Sequence, residues 1–275
     1  MYKVLTIAGS DSCCGAGVQA DLKTINTLGA YGTCAVTAIT VQNTFGVSSV
    51  FSIPSSFVGR QIEAVVSDIG TDAVKTGMLM NEEVVEIVCN LVKKHNLKNL
   101  VVDPVIKSHK GESLLSVEGV NKLRTDLIPL SCLVTPNIPE AEILTDRKIK
   151  NLSDTKDAAK AIYDKGSANV LIKGGHNMNQ RNGDDGASSG EVIDVFYDGK
   201  SFQHFRDERL NTENVHGTGC IYSAAIATEL AKGNDMISSI IVAREFIIKI
   251  IKGSAALGKG YWLANFTPQN MKRDC

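Results

Sequence analysis

A chain of 275 residues, 43% hydrophobic and 21% charged, holds enough apolar material for one sizeable core. Its 29 Lys and Arg against 30 Asp and Glu leave a formal charge of −1, and only 5% of residues are aromatic. Binding to a nucleic-acid backbone needs a concentrated basic excess and single-strand binding needs stacking rings, so the composition argues against nucleic acid as a partner.

In chain order, β-branched runs at 4–8, 34–40, 73–75, 100–103, 132–135 and 170–173 predict strands that are apolar on both faces, as buried parallel strands are. The first is too short for a signal-peptide core and enters a Gly-Ser-Asp segment. Helical patterns fall between the strands at 16–28, 56–68, 82–95, 117–127 and 154–165, with Asn81 and Ser153 as N-caps. Residues 177–190 are polar, rich in Gly, Asn, Asp and Ser, and read as a surface loop. Runs at 192–197 and 201–206, joined through Asp198 and Gly199, predict an antiparallel hairpin at one sheet edge. Two helices close the chain, 218–232 ended by Gly233 and 236–252 ended by Gly253. The most apolar stretch, 237–251, is cut by Arg244, Glu245 and Lys249, so it predicts an amphipathic helix and no membrane span. Strand–helix alternation without a linker or repeat predicts a single α/β domain over 1–275, a central mostly parallel sheet covered by helices. Seven cysteines without a C-x-x-C pair and without chelating spacing to the five histidines predict reduced thiols in the cytoplasm and no zinc site.

The chemistry concentrates at strand ends. His216-Gly217-Thr218-Gly219-Cys220 is a Gly-rich turn opening into an Ala-rich helix, which would aim backbone N–H groups and a helix start at an anion such as a phosphoryl group. Cys220 falls in that first turn, where the field is expected to lower its pKa and make it a base for a substrate hydroxyl. The same segment can also be read as a tight turn before a packed helix, with Cys220 as a small hydrophobe. Thr135-Pro136-Asn137 ends a strand, and Asn137 and Glu140, three apart, would share a helix face that could hold hydrated Mg²⁺ beside a nucleotide phosphate, or serve as an ordinary N-cap. Asp103-Pro104 and Lys173-Gly174 end further strands and would crowd the same edge. The N-terminal Gly9-Ser10-Asp11-Ser12-Cys13-Cys14-Gly15-Ala16-Gly17 turn fits neither the dinucleotide fingerprint nor the P-loop spacing.

Together, this turn with the following Val18-Gln19-Ala20-Asp21, then Gln42-Asn43-Thr44, Lys75-Thr76-Gly77-Met78, Asp103-Pro104-Val105, Thr135-Pro136-Asn137, Lys173-Gly174 and the His216–Cys220 stretch resemble the hydroxymethylpyrimidine/phosphomethylpyrimidine kinase family. The resemblance implies a ribokinase-like three-layer fold, ATP and Mg²⁺ as cofactors, a homodimer, and two successive phosphorylations of 4-amino-5-hydroxymethyl-2-methylpyrimidine in thiamine biosynthesis. It assigns Gly217, Thr218 and Gly219 to an anion hole and Cys220 to the base. Gly9, Asp21, Gln42, Met78 and Val105 fall to the substrate, Lys173, Asn137, Glu140 and Thr135 to the nucleotide, and Asp103 with Glu140, through water, to the metal. Two departures stand out: Cys13-Cys14 where the family usually has Ser-Gly or Gly-Gly, and lysines at 107 and 110 on either side of the expected flap lysine. The alternatives are a pyridoxal or pyridoxine kinase of the same superfamily, and a non-catalytic ligand-binding protein on this fold.

Overall fold

The computed structural model describes residues 1–108, 111–174, 190–210 and 215–267. Strands β1 (Lys3–Ser10), β2 (Tyr31–Asn43), β3 (Gly46–Ser52), β4 (Ala73–Thr76), β5 (Leu100–Val102), β6 (Leu133–Val134), β7 (Val170–Ile172), β8 (Glu191–Tyr197) and β9 (Phe202–Glu208) form one sheet in the order β3-β2-β1-β4-β5-β6-β7-β8-β9. The pairs from β2 through β1 to β7 are parallel, while β2–β3, β7–β8 and β8–β9 are antiparallel. The predicted edge hairpin is therefore present as β8–β9, and a second antiparallel pair closes the opposite edge. That β3 strand escaped the sequence reading because its side chains are mostly exposed and its Ser-rich run shows no apolar alternation.

Alternate residues of the parallel strands feed two separate cores, which is why these strands are apolar on both faces. Leu5, Ile7, Leu100, Val102, Val134, Val170 and Ile172 point into one cluster, whereas Val4, Val101, Leu133 and Leu171 point into the other. The first cluster is covered by α2 (Ser55–Asp68), α3 (Glu82–Lys94), α4 (Val117–Lys122), α5 (Ile138–Thr145) and α6 (Leu152–Tyr163). The second is covered by α1 (Gly17–Thr27), α7 (Thr218–Ala231) and α8 (Met236–Lys252). The result is the expected three-layer α/β arrangement.

Local chemistry sets the helix ends. Asn81 caps α3 by accepting the Val84 N–H, as predicted, but α6 is capped by Asn151, two residues before the predicted Ser153, which lies inside the helix. The predicted helix at 117–127 continues past α4 as a π turn, Leu123–Leu127, and then a 3₁₀ turn, Ile128–Leu130, whose Pro129 offers no N–H. Gly233 takes the left-handed conformation (φ +89°) after α7, whereas Gly253 ends α8 without it (φ −88°). A short parallel pair, β10 (Val215–His216) with β11 (Trp262–Leu263), ties the segment before α7 to the C-terminal region. The predicted loop at 177–190 lies outside the described residues, Gly190 excepted.

One polar pair is sealed inside this frame. Lys75 on β4 and Asp21 on α1 are both fully buried, with Nζ 2.8 and 3.0 Å from the two carboxylate oxygens, and the Thr6 hydroxyl donates to Asp21 at 2.5 Å. Burial alone would push the Lys75 ammonium down; Asp21 more than reverses this, so the lysine stays charged. Replacing one partner leaves an uncompensated buried charge. Asp21→Asn is expected to cost about 3–5 kcal/mol in urea unfolding, with much of the loss recovered in Asp21→Asn/Lys75→Met; an isolated Asp21→Asn as stable as wild type contradicts this account.

Candidate active site

Gly217 stands at φ +83°, and a Cβ there would lie 1.8 Å from the Gly15 carbonyl oxygen, so only glycine lets the two Gly-rich turns touch. Gly17, at φ +59°, is likewise pressed against the Gly9 carbonyl, 2.3 Å from where its Cβ would be. The N-terminus of α7 has no side-chain cap. Its Gly217, Thr218, Gly219 and Cys220 line a cleft of about 810 Å³ at the carboxyl ends of the parallel strands. First-turn N–H groups of a helix have no intrahelical acceptor, so this end of α7 offers donors and a partial positive charge to an anion in the cleft.

Cys220 reaches the cleft, but its thiol is not activated as the sequence suggested. Burial pushes it up to about 11, and the carboxylates of Asp21 and Asp103 add to that push, outweighing Lys75 and the Gly17 N–H. The helix-start field is thus overruled by desolvation and neighbouring negative charge.

Asp103, at the end of β5, joins four elements. Its Oδ1 accepts from Lys173 Nζ at 2.8 Å and from the Thr135 hydroxyl at 3.3 Å, and its Oδ2 accepts from the Ser223 hydroxyl of α7 at 3.2 Å. Lys173, near the cleft's floor, stays charged because Asp103 and then Glu140 outweigh the penalty of burial. Thr135 is fully buried and does not line the cleft among the described residues; it steadies Asp103 instead of meeting a ligand. Asn137 and Glu140 form a capping box, Asn137 Oδ1 accepting the Glu140 N–H and Glu140 Oε2 accepting the Asn137 N–H, each at 2.9 Å. The cap reading of this pair is therefore correct, and it places the Glu140 carboxyl beside Asp103 and Lys173. Burial, then Asp103, push that carboxyl up to about 8 despite Lys173 and the N–H groups of Asn137 and Ile106. Two buried carboxyl oxygen donors short of positive charge fit a hard, hydrated divalent cation such as Mg²⁺.

Gly9, Gln42, Met78 and Val105 line the same cleft. The Gln42 amide lies between the Thr40 hydroxyl, 3.1 Å from Oε1, and His216 Nε2, 2.8 Å from Nε2. Asp21 does not join this group: it is spent on Lys75 beneath the floor, so direct substrate contact gives way to structural support. Lys107 lines the cleft, while Lys110 lies outside the described residues.

The sequence reading gave no role to Asp11, the residue that organises the first turn. Its Oδ1 accepts the Cys13 N–H at 2.9 Å, and its Oδ2 accepts the N–H groups of Gly15 and Ala16 at 3.0 and 2.8 Å. His216 Nε2 is 3.2 Å from the same oxygen. Burial would push the Asp11 carboxyl up, yet hydrogen bonds from His216, Cys13 and Ala16 hold it below the usual range. An Asp just past a strand and before Gly-rich backbone was the available signal.

Comparison with known proteins finds relatives over nearly the whole chain. A family model described as phosphomethylpyrimidine kinase matches residues 11–265. A hydroxymethylpyrimidine/phosphomethylpyrimidine kinase of Aquifex aeolicus is 42% identical over 262 residues, 95% of this chain and 99% of that protein. The thiamine biosynthesis bifunctional protein ThiED of Geobacter sulfurreducens is also 42% identical over 262 residues, and there the chain spans 51% of the relative's length. Among solved structures, the ADP complex of Bacillus subtilis pyridoxal kinase superposes with a TM-score of 0.86 at 36% identity, covering 99% of this chain and 100% of that one.

The raised Glu140 group has a measurable consequence. From its ordinary value near 4.5 to about 8, the native state holds a proton that the unfolded chain releases, so stability falls as pH rises through that window and levels off above it. Metal-free thermal melts are expected to drop between pH 5 and roughly 8.5 in wild type and to lose part of that slope in Glu140→Gln, which keeps the cap. Identical slopes for the two proteins refute the assignment.

Proposed function

The chain belongs to the phosphomethylpyrimidine kinase family, and from that premise we propose that it transfers a phosphoryl group from ATP to 4-amino-5-hydroxymethyl-2-methylpyrimidine and then to the resulting monophosphate, in thiamine biosynthesis. The observation that carries this reading is the meeting, in one cleft, of the uncapped α7 start, Lys173 and Gln42. The fold is ribokinase-like, and the enzyme is a phosphotransferase.

Phosphoryl transfer asks a protein mainly for positioning and charge stabilisation. The α7 N–H groups of Thr218, Gly219 and Cys220 would hold the transferring group, with Lys173 beside it. Asp103 and Glu140, through water, would hold Mg²⁺, which supplies charge neutralisation on the nucleotide phosphates. Gln42 offers an amide donor and acceptor suited to a ring nitrogen and the 4-amino group of the pyrimidine. Cys220 is the group placed to take the proton of the 5-hydroxymethyl, and to do so it must first be a thiolate. The second acceptor is already an anionic phosphate and needs no such step.

No helix among the described residues is long and apolar enough to cross a membrane. Dependence on ATP, together with six unpaired cysteines among the described residues, supports a cytoplasmic site of action. Assembly as a homodimer is supported by the outer face of the β2–β3 pair, where Ile39, Val41, Phe45 and Phe51 are 49, 62, 55 and 66% exposed. Ile39 and Phe51 are cross-strand partners, so the patch is continuous on one face.

Four experiments test this reading. With the free thiol near 11, kcat/KM for the first phosphorylation should rise with pH by up to about tenfold per unit above neutrality, while the second step lacks this limb. Cys220→Ala should lower the first step by about 10²–10⁴ and the second by less; equal losses, or turnover close to wild type, remove Cys220 as base. Parallel ATP-consumption assays with pyridoxal separate the family's two vitamin substrates, and failure of both pyrimidines overturns the main reading. For assembly, Phe51→Glu is expected to convert dimer to monomer in sedimentation; an unchanged sedimentation coefficient places the interface elsewhere.

A further inference from the structure

The turn that departs from the family carries a second, unassigned constellation. Cys13 Sγ lies 3.4 Å from Asp11 Oδ2, and His216 Nε2 lies 3.2 Å from the same oxygen. The three donor atoms all fall within 4.8 Å of one another, although 205 residues separate Asp11 from His216. In a tetrahedral zinc site, Zn–S bonds of about 2.3 Å and Zn–N or Zn–O bonds of about 2.0–2.2 Å place neighbouring donors roughly 3.3–3.6 Å apart. The two measured edges already have nearly that length. Thiolate, imidazole and carboxylate together select a borderline-soft divalent cation over Mg²⁺, which prefers oxygen alone.

The surroundings are those of a ligand set. Asp11 is 2% exposed and its carboxylate is oriented by the N–H groups of Cys13, Gly15 and Ala16, the outer hydrogen bonds that fix a metal-binding carboxylate. Gly15 has no side chain to obstruct the imidazole: a Cβ there would lie 2.7 Å from His216 Cδ2. Asp11 and His216 line the cleft, so a fourth position would open toward it. Binding would release the thiol proton that Cys13 now shares with Asp11.

We propose that Asp11, Cys13 and His216 form a three-ligand site for Zn²⁺ or a similar transition-metal ion, open on its fourth side to the cleft and distinct from the Asp103–Glu140 pair. The site bridges the first Gly-rich turn to the strand that precedes α7. Its effect on catalysis rests on the pyrimidine kinase reading: a metal on His216 Nε2 takes that atom from Gln42, so occupancy should weaken pyrimidine binding.

Titration of the metal-free, full-length protein with Co²⁺ tests the site directly. The expected result is a near-ultraviolet thiolate-to-cobalt band that saturates at one ion per chain, is displaced by Zn²⁺, and disappears in Cys13→Ser while persisting in Cys14→Ser and Cys220→Ser. Absence of the band in wild type, or its persistence in Cys13→Ser, overturns the proposal. Steady-state assays then read the consequence, with Zn²⁺ expected to raise KM for hydroxymethylpyrimidine severalfold in wild type and not in Cys13→Ser. A Cys13-dependent band with an unchanged KM overturns the link to the pocket and leaves the site standing, whereas absence of pyrimidine turnover before any zinc is added bears on the kinase reading alone.

Discussion

The cleft wall around Lys173 depends on how Asp103 is neutralised. A carboxylate 3% exposed at a strand end is tolerable only when its charge is matched and its lone pairs are filled. Lys173 supplies the charge from β7, Thr135 a hydroxyl from the end of β6, and Ser223 a hydroxyl from α7. Through one side chain, the ends of three parallel strands and the helix whose uncapped start faces the cleft are held in fixed relation. Withdrawing Asp103 would leave the Lys173 ammonium without its carboxylate partner at 2.8 Å, so the network is centred on that one side chain.

Lys75 with Asp21 repeats this pairing in the fully buried interior, so that in a chain of formal charge −1 the positive charge facing the cleft comes from Lys173 and the start of α7. Surface excess of Lys and Arg would bind any polyanion and lose its grip with salt. Lys173 on the cleft wall, with the uncapped start of α7 beside it, instead confines positive potential to one small volume. The same carboxylates that keep these lysines charged push Cys220 and Glu140 toward their protonated forms. With those two groups protonated, the charges of Lys75 and Lys173 are matched by Asp21 and Asp103, and the site is balanced near neutrality.

Much of this was legible in the sequence because buried parallel strands and their Gly-rich ends have strong local signatures. The runs at 4–8, 100–103 and 170–173 emerge as β1, β5 and β7, and the turn before Thr218 opens a helix as its glycines require. What stayed hidden was non-local. The β3 strand pairs through its backbone with few buried side chains, so no apolar pattern marks it. Asp21 reads as a family substrate residue until its partner, Lys75, is seen beneath the floor. The Cys220 thiol follows the helix-start rule locally and violates it once Asp21, Asp103 and burial are added. Asp11, Cys13 and His216 have no chelating spacing, because a parallel sheet assembles its ligand edge from strand ends far apart in the chain.

The contact between Gly217 and Gly15 makes those distant pieces one unit. With the Gly15 carbonyl filling the space where a side chain would stand on Gly217, the first turn cannot shift without moving the start of α7. The first turn itself holds a left-handed residue with a side chain, Cys14 at φ +59°, in a conformation that costs most residues about 1–2 kcal/mol. A glycine at position 14 would remove that cost. The strain sits beside Asp11, whose carboxylate collects three N–H groups of the same turn and thereby holds it in shape. A turn stiffened in this way carries Cys13 on one side and meets His216 on the other. The first Gly-rich turn and the start of α7, both of which line the cleft, are thus coupled through backbone contact.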